Sequence, residues 1–524
     1  MRDGRDTGLT GLLTPAAVIV CWQLSVTSGW LDYQYLPSPA AIGGALSELA
    51  SSGELFADTA HTFAVVAVAA AVTLTIGGAL GLAIGLKSGL RQHILGSVDF
   101  LRSIPAVALV PAAVLTFGPG VMTELMLASY AALWPMVLAT AGGVAAVHPR
   151  HYDVAAMFGF GTTTTARKIV VPAALPAGLI GARLAVVIAL LVAITTEMII
   201  SADGLGGGLV ESLNALAPER MWAYVLACGM VGLTLNVALR RIPGGQARTG
   251  RVSRATAPST VAQPVTSLRG LLPLVVLLGG WQLLSGPDSL TFPPPGQWLT
   301  ALRRMSADGS LLPALGQTVG TYALGLAGAG LLGAGVGAAL GASRRMDRLL
   351  TPSIDFLASV PGAASVPLAV LVLGPGPLSG VAVVAGVASW PILLTVATAM
   401  RTIPQVRLDM ARSLGLSRWR RWRTVILPSL TPAVLLGLRV ASGLALIVSL
   451  LFDVFGSGTG VGRLLVESQQ HFDAAAAWGL LLLAGAFGYA ASAALARLGR
   501  TQIIAMGDTL TPISSAPASS RLTS

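Results

Sequence analysis

The sequence predicts an all-α polytopic membrane protein made of two homologous six-helix halves, with about 12 transmembrane helices in total. Hydrophobic residues make up 54% of the 524 residues and charged residues only 10%, whereas soluble domains carry about 25% charged residues. Apolar runs long enough to cross a bilayer recur along the chain. The second part of the chain also repeats the first. This composition excludes a cytosolic enzyme, a secreted disulfide scaffold and a disordered chain.

The repeat has a constant offset of 256 residues. Gly118-Pro119-Gly120 aligns with Gly374-Pro375-Gly376, and Trp134-Pro135 aligns with Trp390-Pro391. The same offset holds without a gap over residues 37–206. A register kept over such a distance indicates a tandem fusion of two homologous units.

Four segments follow from the repeat. We predict a first transmembrane domain at 1–239, a basic linker at 240–266, a second transmembrane domain at 267–500 and a disordered tail at 501–524. The linker is rich in Pro, Gly and Ser, and it holds five arginines and no acidic residue, which is typical of a flexible cytoplasmic connection. The tail is rich in Ser, Thr and Pro.

Each transmembrane domain contains six apolar runs. The runs lie at 9–30, 61–86, 103–117, 121–146, 175–200 and 221–239 in the first domain, and at 267–285, 316–341, 359–374, 377–399, 431–455 and 474–498 in the second. The third run of each domain is short and interrupted by proline. Arg2 and Arg5 precede the first run as in a signal peptide, but its length and the runs that follow indicate an uncleaved span.

Basic residues predict the orientation. Lys and Arg occur in the N-terminal segment, in loops 87–102 and 147–174 and in the linker, whereas loop 31–59 has four acids and no Lys or Arg. Because Lys and Arg mark the cytoplasmic side, both termini are predicted to be cytoplasmic, with Arg303 and Arg304 as exceptions on the outer side. Two six-span halves of equal orientation are related by a pseudo-twofold axis along the membrane normal, so a solute pathway would lie between them.

Two predicted cytoplasmic loops, 147–174 and 403–428, carry matching motifs. The motif residues are Asp153, Ala155, Gly159 and Pro172 in the first loop, and Asp409, Ala411, Gly415, Trp419, Trp422 and Pro428 in the second. The pattern predicts a helix, a tight turn at glycine, a second short helix and a proline before the next span. The two tryptophans share a helix face beside arginines, which suits either a protein partner or lipid headgroups.

This pattern resembles the EAA loop of ATP-binding-cassette importer permeases of the binding-protein-dependent inner-membrane family, roughly E-A-A-x-x-x-G followed by I/V-x-L-P. The segments Leu36-Pro-Ser-Pro39, Ser103-Ile-Pro105 and Phe117-Gly-Pro-Gly120 resemble the nitrate, sulfonate and taurine type most. The resemblance implies a permease of the bacterial inner membrane that works by alternating access. It also implies two cytoplasmic ATPase subunits that engage the loops, an extracytoplasmic solute-binding protein, and a small anion or small organic solute.

The loops depart from the family pattern in two respects. The leading glutamate is replaced by Asp153 and Asp409. Thr163 and Ala166 stand in the first half at the positions of the two tryptophans. The first docking surface is therefore expected to be weaker or different, which implies asymmetric coupling or two non-identical ATPases.

The sequence lacks the groups that covalent chemistry requires. No G-x-x-x-x-G-K-[ST] motif occurs, so we expect no cofactor bound by this chain and ATP use by partner subunits. We find no catalytic cluster, no metal-ligand spacing and no feature that indicates a nucleic-acid partner. All five histidines, including His61, His148 and His151, are interpreted as loop residues. Residues 204–208 resemble a phosphate-binding loop, but they follow a span and are interpreted as an outer turn.

The fifth span of each half carries two charges, Arg183 with Glu197 and Arg439 with Asp453. Fourteen helical residues separate the members of each pair by about 21 Å, so neither is an internal ion pair. Intramembrane charges mark functional positions by default. They fit either contacts between helices at the membrane boundary or a role in gating and lining the pathway. Arginines that face the axis would suit an anionic solute.

Two alternatives to the importer remain open at this stage. An ion-coupled secondary transporter with 12 spans also predicts parallel six-span halves, but it would show carboxylates or histidine relays at mid-membrane. An integral membrane enzyme would need a cluster of catalytic groups. The importer explains the repeat, the matching loops and the missing nucleotide site together.

Overall fold

The computed structural model describes residues 6–200, 203–241, 268–286, 289 and 291–508. Within these ranges the chain forms helices and no β-strand, which confirms the all-α class. The predicted linker from residue 242 and the predicted tail from residue 509 lie outside the described residues. The last helix reaches Asp508. Residues 501–508, the first part of the predicted tail, are therefore helical rather than disordered, and no glycine or proline lies between residues 500 and 506.

The helices follow one another in the same order in both halves. Those of the first half are α1 (Asp6–Thr27), α2 (Pro39–Ser52), α3 (Glu54–Leu86), α4 (Ser88–Leu101), α5 (Ala106–Phe117), α6 (Val121–Ala145), α7 (Pro149–Met157), α8 (Thr162–Thr165), α9 (Val171–Ile200), α10 (Leu205–Asn214) and α11 (Pro218–Arg240). Those of the second half are α12 (Leu272–Leu284), α13 (Pro295–Ala307), α14 (Leu311–Ala342), α15 (Arg344–Leu357), α16 (Ser365–Leu373), α17 (Pro377–Thr402), α18 (Gln405–Ser413), α19 (Arg418–Arg421), α20 (Leu427–Phe452), α21 (Val461–Gln470) and α22 (Ala474–Asp508). Short 3₁₀ turns at Leu268–Leu271 and Gly362–Ala364 precede α12 and α16.

Eight helices of the described residues are long and apolar enough to cross a membrane, and two further pairs qualify if each bent pair is one span. The bent pairs are the third spans of the two halves. Together with the shorter apolar helices Thr14–Thr27 and Leu272–Leu284, they account for the six predicted runs of each half. The chain is therefore a multi-pass membrane protein.

The third span of each half is bent sharply. The angle between the two arms is 84° in the first half and 81° in the second. Pro105 and Pro361 stand at the bends. Proline lacks a backbone N–H and disfavours helical geometry in the residue before it, so a helix stops there. The arm after the bend, α5, has 12 residues and reaches only about 18 Å.

Each half has a core of three helices. In the first half α6 packs between α3 and α9, and in the second half α17 packs between α14 and α20. Contacts between the halves are reciprocal, because α5 meets α21 and α22 while α16 meets α10 and α11. This reciprocity agrees with the predicted pseudo-twofold axis. It places α5 and α16 at the interface where the solute pathway was predicted.

Glycines spaced by four residues bring the core helices into backbone contact. A Cβ atom at Gly81 would lie 2.7 Å from the Val137 carbonyl oxygen, and one at Gly337 would lie 2.6 Å from the Leu393 carbonyl oxygen. Real Cβ atoms do not approach so closely. These glycines therefore act in helix packing, because small residues let membrane helices approach backbone to backbone.

We expect Gly337→Ala to destabilise the protein, since the new methyl group would push α14 away from α17. Overpacking of this kind costs about 1–3 kcal/mol. Gly335→Ala in the same helix is the matched control, because a Cβ there meets nothing within 4 Å. Thermal unfolding of the purified variants measures the difference. Equal melting temperatures for the two variants would contradict the packing role.

The first helix of each half is exchanged between the halves. Helix α1 packs on α15 of the second half, and α12 packs on α4 of the first half. At the second of these contacts the Ser97 hydroxyl donates to the Gly270 carbonyl oxygen at 2.8 Å and accepts from the Leu274 N–H at 3.2 Å. The halves are thus interlocked at their periphery as well as in contact at the central interface.

Candidate functional site

The two motif loops have the same backbone geometry. Helices α7 and α18 each end at a glycine with positive φ, +65° at Gly159 and +64° at Gly415. In the first loop the Phe160 N–H donates to the Ala155 carbonyl oxygen at 2.9 Å, and in the second the Leu416 N–H donates to the Ala411 carbonyl oxygen at 3.1 Å. This is the Schellman arrangement that glycine permits. The predicted order of helix, glycine turn and helix is confirmed.

Each loop helix rests on the transmembrane body through its motif alanine. Ala155 and Ala411 are each 2% exposed, whereas Asp153 and Asp409 are exposed. Asp409 pairs with Arg412 one turn later at 2.7 Å, a surface ion pair that contributes little to stability. The alanines therefore lie on the packed side of the loop helices, and the aspartates lie on the accessible side.

The outward faces of the loops are apolar, but with different residues. In the first loop Met157 and Phe158 are 86% and 73% exposed. In the second loop Leu414 and Trp419 are 72% and 73% exposed, and Trp422 is 39% exposed. Leu414 aligns with Phe158 in the repeat. The first surface thus differs from the second, as predicted from its missing tryptophans, yet it presents large apolar side chains of its own.

A π-helical turn joins each loop to the next span. The turns span Ala166–Val170 and Trp422–Ile426, immediately before the segments that contain Pro172 and Pro428. Val170 is fully buried and packs with Val144 and Val147 at the end of α6. The turn is therefore in contact with the end of α6 and continues directly into α9. No residue pattern in the loops predicted these π turns, although such turns are frequent at functional sites.

The intramembrane arginines lie on aligned positions of α9 and α20. Both Arg183 and Arg439 are half-buried. The Arg183 guanidinium donates to the Asn236 side-chain oxygen at 2.8 Å, which ties α9 to α11 within the first half. The two arginines lie 14 residues before the acids of their own spans, which is about 21 Å along a helix.

Glu197 and Asp453 are fully buried and cap the helix that follows them. Glu197 Oε2 accepts from the Gly206 N–H at 2.9 Å, and Asp453 Oδ2 accepts from the Gly462 N–H at 3.2 Å. A carboxylate at a helix N-terminus satisfies free N–H groups and interacts favourably with the helix dipole. The geometry supports the contact between helices that was one of the two roles considered.

A threonine of the second span completes each cap. Thr62 Oγ1 accepts from the Leu205 N–H at 3.1 Å. Thr318 Oγ1 accepts from the Val461 N–H at 2.9 Å and its hydroxyl donates to Asp453 at 2.6 Å. The aligned threonines, acids and glycines therefore form the same cap twice.

The glycine-rich segment 204–208 belongs to this cap. It was interpreted as an outer turn, but residues 205–208 form the first turn of α10. A Cβ at Gly206 would lie 2.2 Å from the Ile194 carbonyl oxygen, and one at Gly462 would lie 2.1 Å from that of Leu450. Only glycine allows this approach. The equal spacing from acid to glycine in both halves was the sequence signal for the contact.

The first half contains a polar cluster that sequence analysis missed. His61 lies in α3, so its interpretation as a loop histidine was wrong. Its Nε2 atom lies 2.9 Å from Glu124 Oε2, and one ligand atom from each of His61, Glu124 and Glu197 lies within 4.8 Å of the others. The prediction of no metal-ligand group overlooked it because the histidine and Glu124 are 63 residues apart in the chain.

Apolar side chains close the interface between the halves beside the caps. A cavity of only about 10 Å³ remains there, with Val107 and Ile199 from the first half and Leu450 and Leu465 from the second among its lining residues. Such a space is too small for a solute. The predicted charged residues do not line this cavity, and its apolar residues gave no separate signal in an apolar sequence.

Comparison with known proteins identifies both halves. The family model described as "Binding-protein-dependent transport system inner membrane component" matches residues 74–244 and 331–502. These two segments cover most of the transmembrane core of each half.

The relatives correspond in length to one half of the chain. A putative aliphatic sulfonates transport permease of Bacillus subtilis is 29% identical over 228 residues, which are 43% of this chain and 81% of the relative. The Escherichia coli protein of the same description is 31% identical over 43% of this chain and 85% of its own length. The taurine transport system permease of Escherichia coli is 31% identical over 38% of this chain and 75% of its own length.

Proposed function

This chain belongs to the family of binding-protein-dependent transport system inner membrane components, with two family units in one polypeptide, and we propose that the two units together form the complete membrane pathway of one ATP-driven importer. The family is a transport family and not an enzyme family. Members with a single unit would need two chains for such a pathway. The reciprocal contacts of the two halves support a pathway within one chain.

The observation that carries this proposal is the pair of motif loops, 147–174 and 403–428. Both have a buried alanine, a left-handed glycine and exposed apolar side chains, which is the composition of a protein-docking surface. We propose that each loop engages one cytoplasmic ATPase subunit, that ATP is bound there and not by this chain, and that the two ATPases differ or couple unequally. The loops and both termini are cytoplasmic in this proposal, in the bacterial inner membrane.

The outer side is proposed to receive a solute-binding protein. Approach of the ATPases would push α7 and α18, and the rigid contact of Val170 with α6 would transmit that motion to the core helices. The halves would then separate at the apolar closure between α5 and α21. An ion-coupled secondary transporter is not proposed, since both halves match a binding-protein-dependent family.

The solute is proposed to be a small anion. The matched relatives are named for aliphatic sulfonates, bicarbonate, nitrate and taurine. All of these are small and carry a negatively charged group. Arg183 and Arg439, one in each half, are proposed to favour anions along the pathway.

Affinity purification of the tagged chain from its native membrane, followed by an ATPase assay of the eluate, tests the coupling. We expect two ATPase subunits per chain and ATP hydrolysis that the cognate binding protein stimulates. The control variant is Arg463→Ala. Arg463 is exposed on the predicted outer side, so this variant should retain the ATPases. A folded chain that brings down no ATPase would contradict the proposed function.

Neutralising both arginines, as Arg183→Gln with Arg439→Gln, is expected to reduce anion uptake at least tenfold. Loss of a favourable charge of about 1.4 kcal/mol has this effect on an equilibrium constant. Uptake of labelled anion into cells measures the loss, and Arg183→Lys with Arg439→Lys should restore a substantial part of it. Unchanged uptake by the glutamine variant at equal membrane levels would rule out this role.

A further inference from the structure

The buried cluster of the first half is the strongest feature that the proposed function leaves unexplained. Glu124 and Glu197 are both 0% exposed, and His61 Nε2 contacts Glu124 Oε2 at 2.9 Å. Three spans supply these side chains, α3, α6 and α9. Burial of two carboxylates costs several kcal/mol per charge unless a positive group or protons neutralise them.

The hydrogen bonds in place satisfy only part of this cluster. Glu124 Oε2 contacts the imidazole, and Glu197 Oε2 accepts from the Gly206 N–H at 2.9 Å. The second oxygen of each carboxylate, Oε1, is buried and has no hydrogen-bond partner in the described part of the chain. Buried polar atoms are nearly always satisfied. Two such atoms beside one imidazole leave acceptor oxygens on both carboxylates that a cation could use.

The second half shows what the same position looks like without the cluster. Gln317 aligns with His61, and Gly380 aligns with Glu124. The ring of Phe452 fills the space beside Gly380, since a Cβ there would lie 2.7 Å from it. Only one carboxylate, Asp453, remains. Thr318 and Gly462 hydrogen-bond to its Oδ2, its Oδ1 is buried without a hydrogen-bond partner among the described residues, and no imidazole or second carboxylate lies at the aligned positions. The extra histidine and the extra glutamate are therefore specific to the first half.

We propose that His61, Glu124 and Glu197 bind one divalent transition-metal cation, with Zn²⁺ as the preferred ion. Two carboxylates and a neutral imidazole balance a dication. Ligand atoms bound at about 2.0–2.2 Å lie about 3–4 Å from one another, which is compatible with the mutual distances within 4.8 Å. Oxygen and imidazole donors suit Zn²⁺, which this kind of site binds more tightly than Mn²⁺ or Fe²⁺.

The consequence is a cross-link of three spans at one end of the first half. Glu197 would hold both the cation and the Gly206 N–H of α10, so the metal would fix α3, α6 and α9 together with α10. The second half has no equivalent link among its described residues, since Gln317 and Gly380 replace the two ligands. The first half would thus be the more rigid of the two near the interface.

Metal analysis of the full chain, purified without a histidine tag, tests the proposal. After exposure to Zn²⁺ and removal of the excess, we expect about one Zn²⁺ per chain and a rise in melting temperature of roughly 3–5 °C. His61→Gln, which installs the residue of the second half, should lose both effects. His148→Ala with His151→Ala, which removes two histidines of the first loop, should retain both.

Two results would overturn the assignment. One is a folded parent chain that retains less than about a tenth of a Zn²⁺ ion. The other is a His61→Gln variant that binds as much metal as the parent. If that variant fails to fold, Glu124→Gln and the X-ray absorption spectrum of the parent replace it. A spectrum with one imidazole and oxygen ligands supports the site, and one with sulfur or several imidazoles contradicts it.

Discussion

The double variant Leu414→Asp, Trp419→Ala is expected to lose most of the ATPase that co-purifies with the parent chain. Both side chains are more than 70% exposed on the second loop, where the proposed function places an ATPase. Loss of one apolar anchor costs about 2 kcal/mol of binding free energy, which is roughly a 30-fold change in the dissociation constant. ATPase activity of the eluate and solute uptake by cells should fall together.

The repeat supplies the matched variant for this experiment. Phe158→Asp changes the residue of the first loop that aligns with Leu414. If coupling is asymmetric, the two loops should differ in how much ATPase they retain, and equal losses would argue for two equivalent sites. Full ATPase binding by the Leu414→Asp, Trp419→Ala variant in folded form would show that this loop is not the coupling element.

Asp453→Ala is expected to cause the largest loss of stability in the second half. Its carboxylate accepts from the Thr318 hydroxyl at 2.6 Å and from the Gly462 N–H at 3.2 Å. Removal leaves the buried Gly462 N–H without this acceptor, which costs about 1–3 kcal/mol, whereas the Thr318 hydroxyl keeps the Ala314 carbonyl oxygen at 3.1 Å. The end of α20 would then separate from α21. Thermal unfolding and protease accessibility of α21 measure the effect.

The acid of the first half provides the control. Asp453→Glu introduces the residue found at the aligned position, Glu197, and should retain most of the stability because a carboxylate remains available to the N–H groups. Asp453→Asn should be intermediate, since the amide retains one acceptor oxygen. A melting temperature for Asp453→Ala equal to that of the parent would show that the cap contributes no stability.

Patterns that are local or repeated predicted much of the fold. The offset of 256 residues indicated two halves, and the six apolar runs of each half predicted where its spans lie. Gly159 and Gly415 predicted the turns after α7 and α18, because a tight turn of this kind requires a positive φ that favours glycine. These features depend on a few adjacent residues or on the alignment of the two halves, so they can be predicted from the sequence alone.

Contacts between distant residues were not predictable in the same way. His61, Glu124 and Glu197 come together only because α3, α6 and α9 pack side by side, and a single chain gives no signal of which turns face one another. The angle of the bent third span was also missed. Proline marks where a helix stops, but the packing of α5 against the other half decides its direction.

The exchanged first helices determine the order in which the protein can assemble during synthesis. Helix α1 ends at Thr27 and its packing partner α15 begins at Arg344, so about 300 residues are translated between them. At about 5–20 residues per second, α1 remains in the bilayer for tens of seconds before that partner exists. Helix α12, by contrast, emerges after α4 and can dock at once. The contact of α1 with α15 therefore cannot form until the ribosome has delivered the second half, whereas its contact with the first half, where Trp22 packs on Trp222, can form earlier.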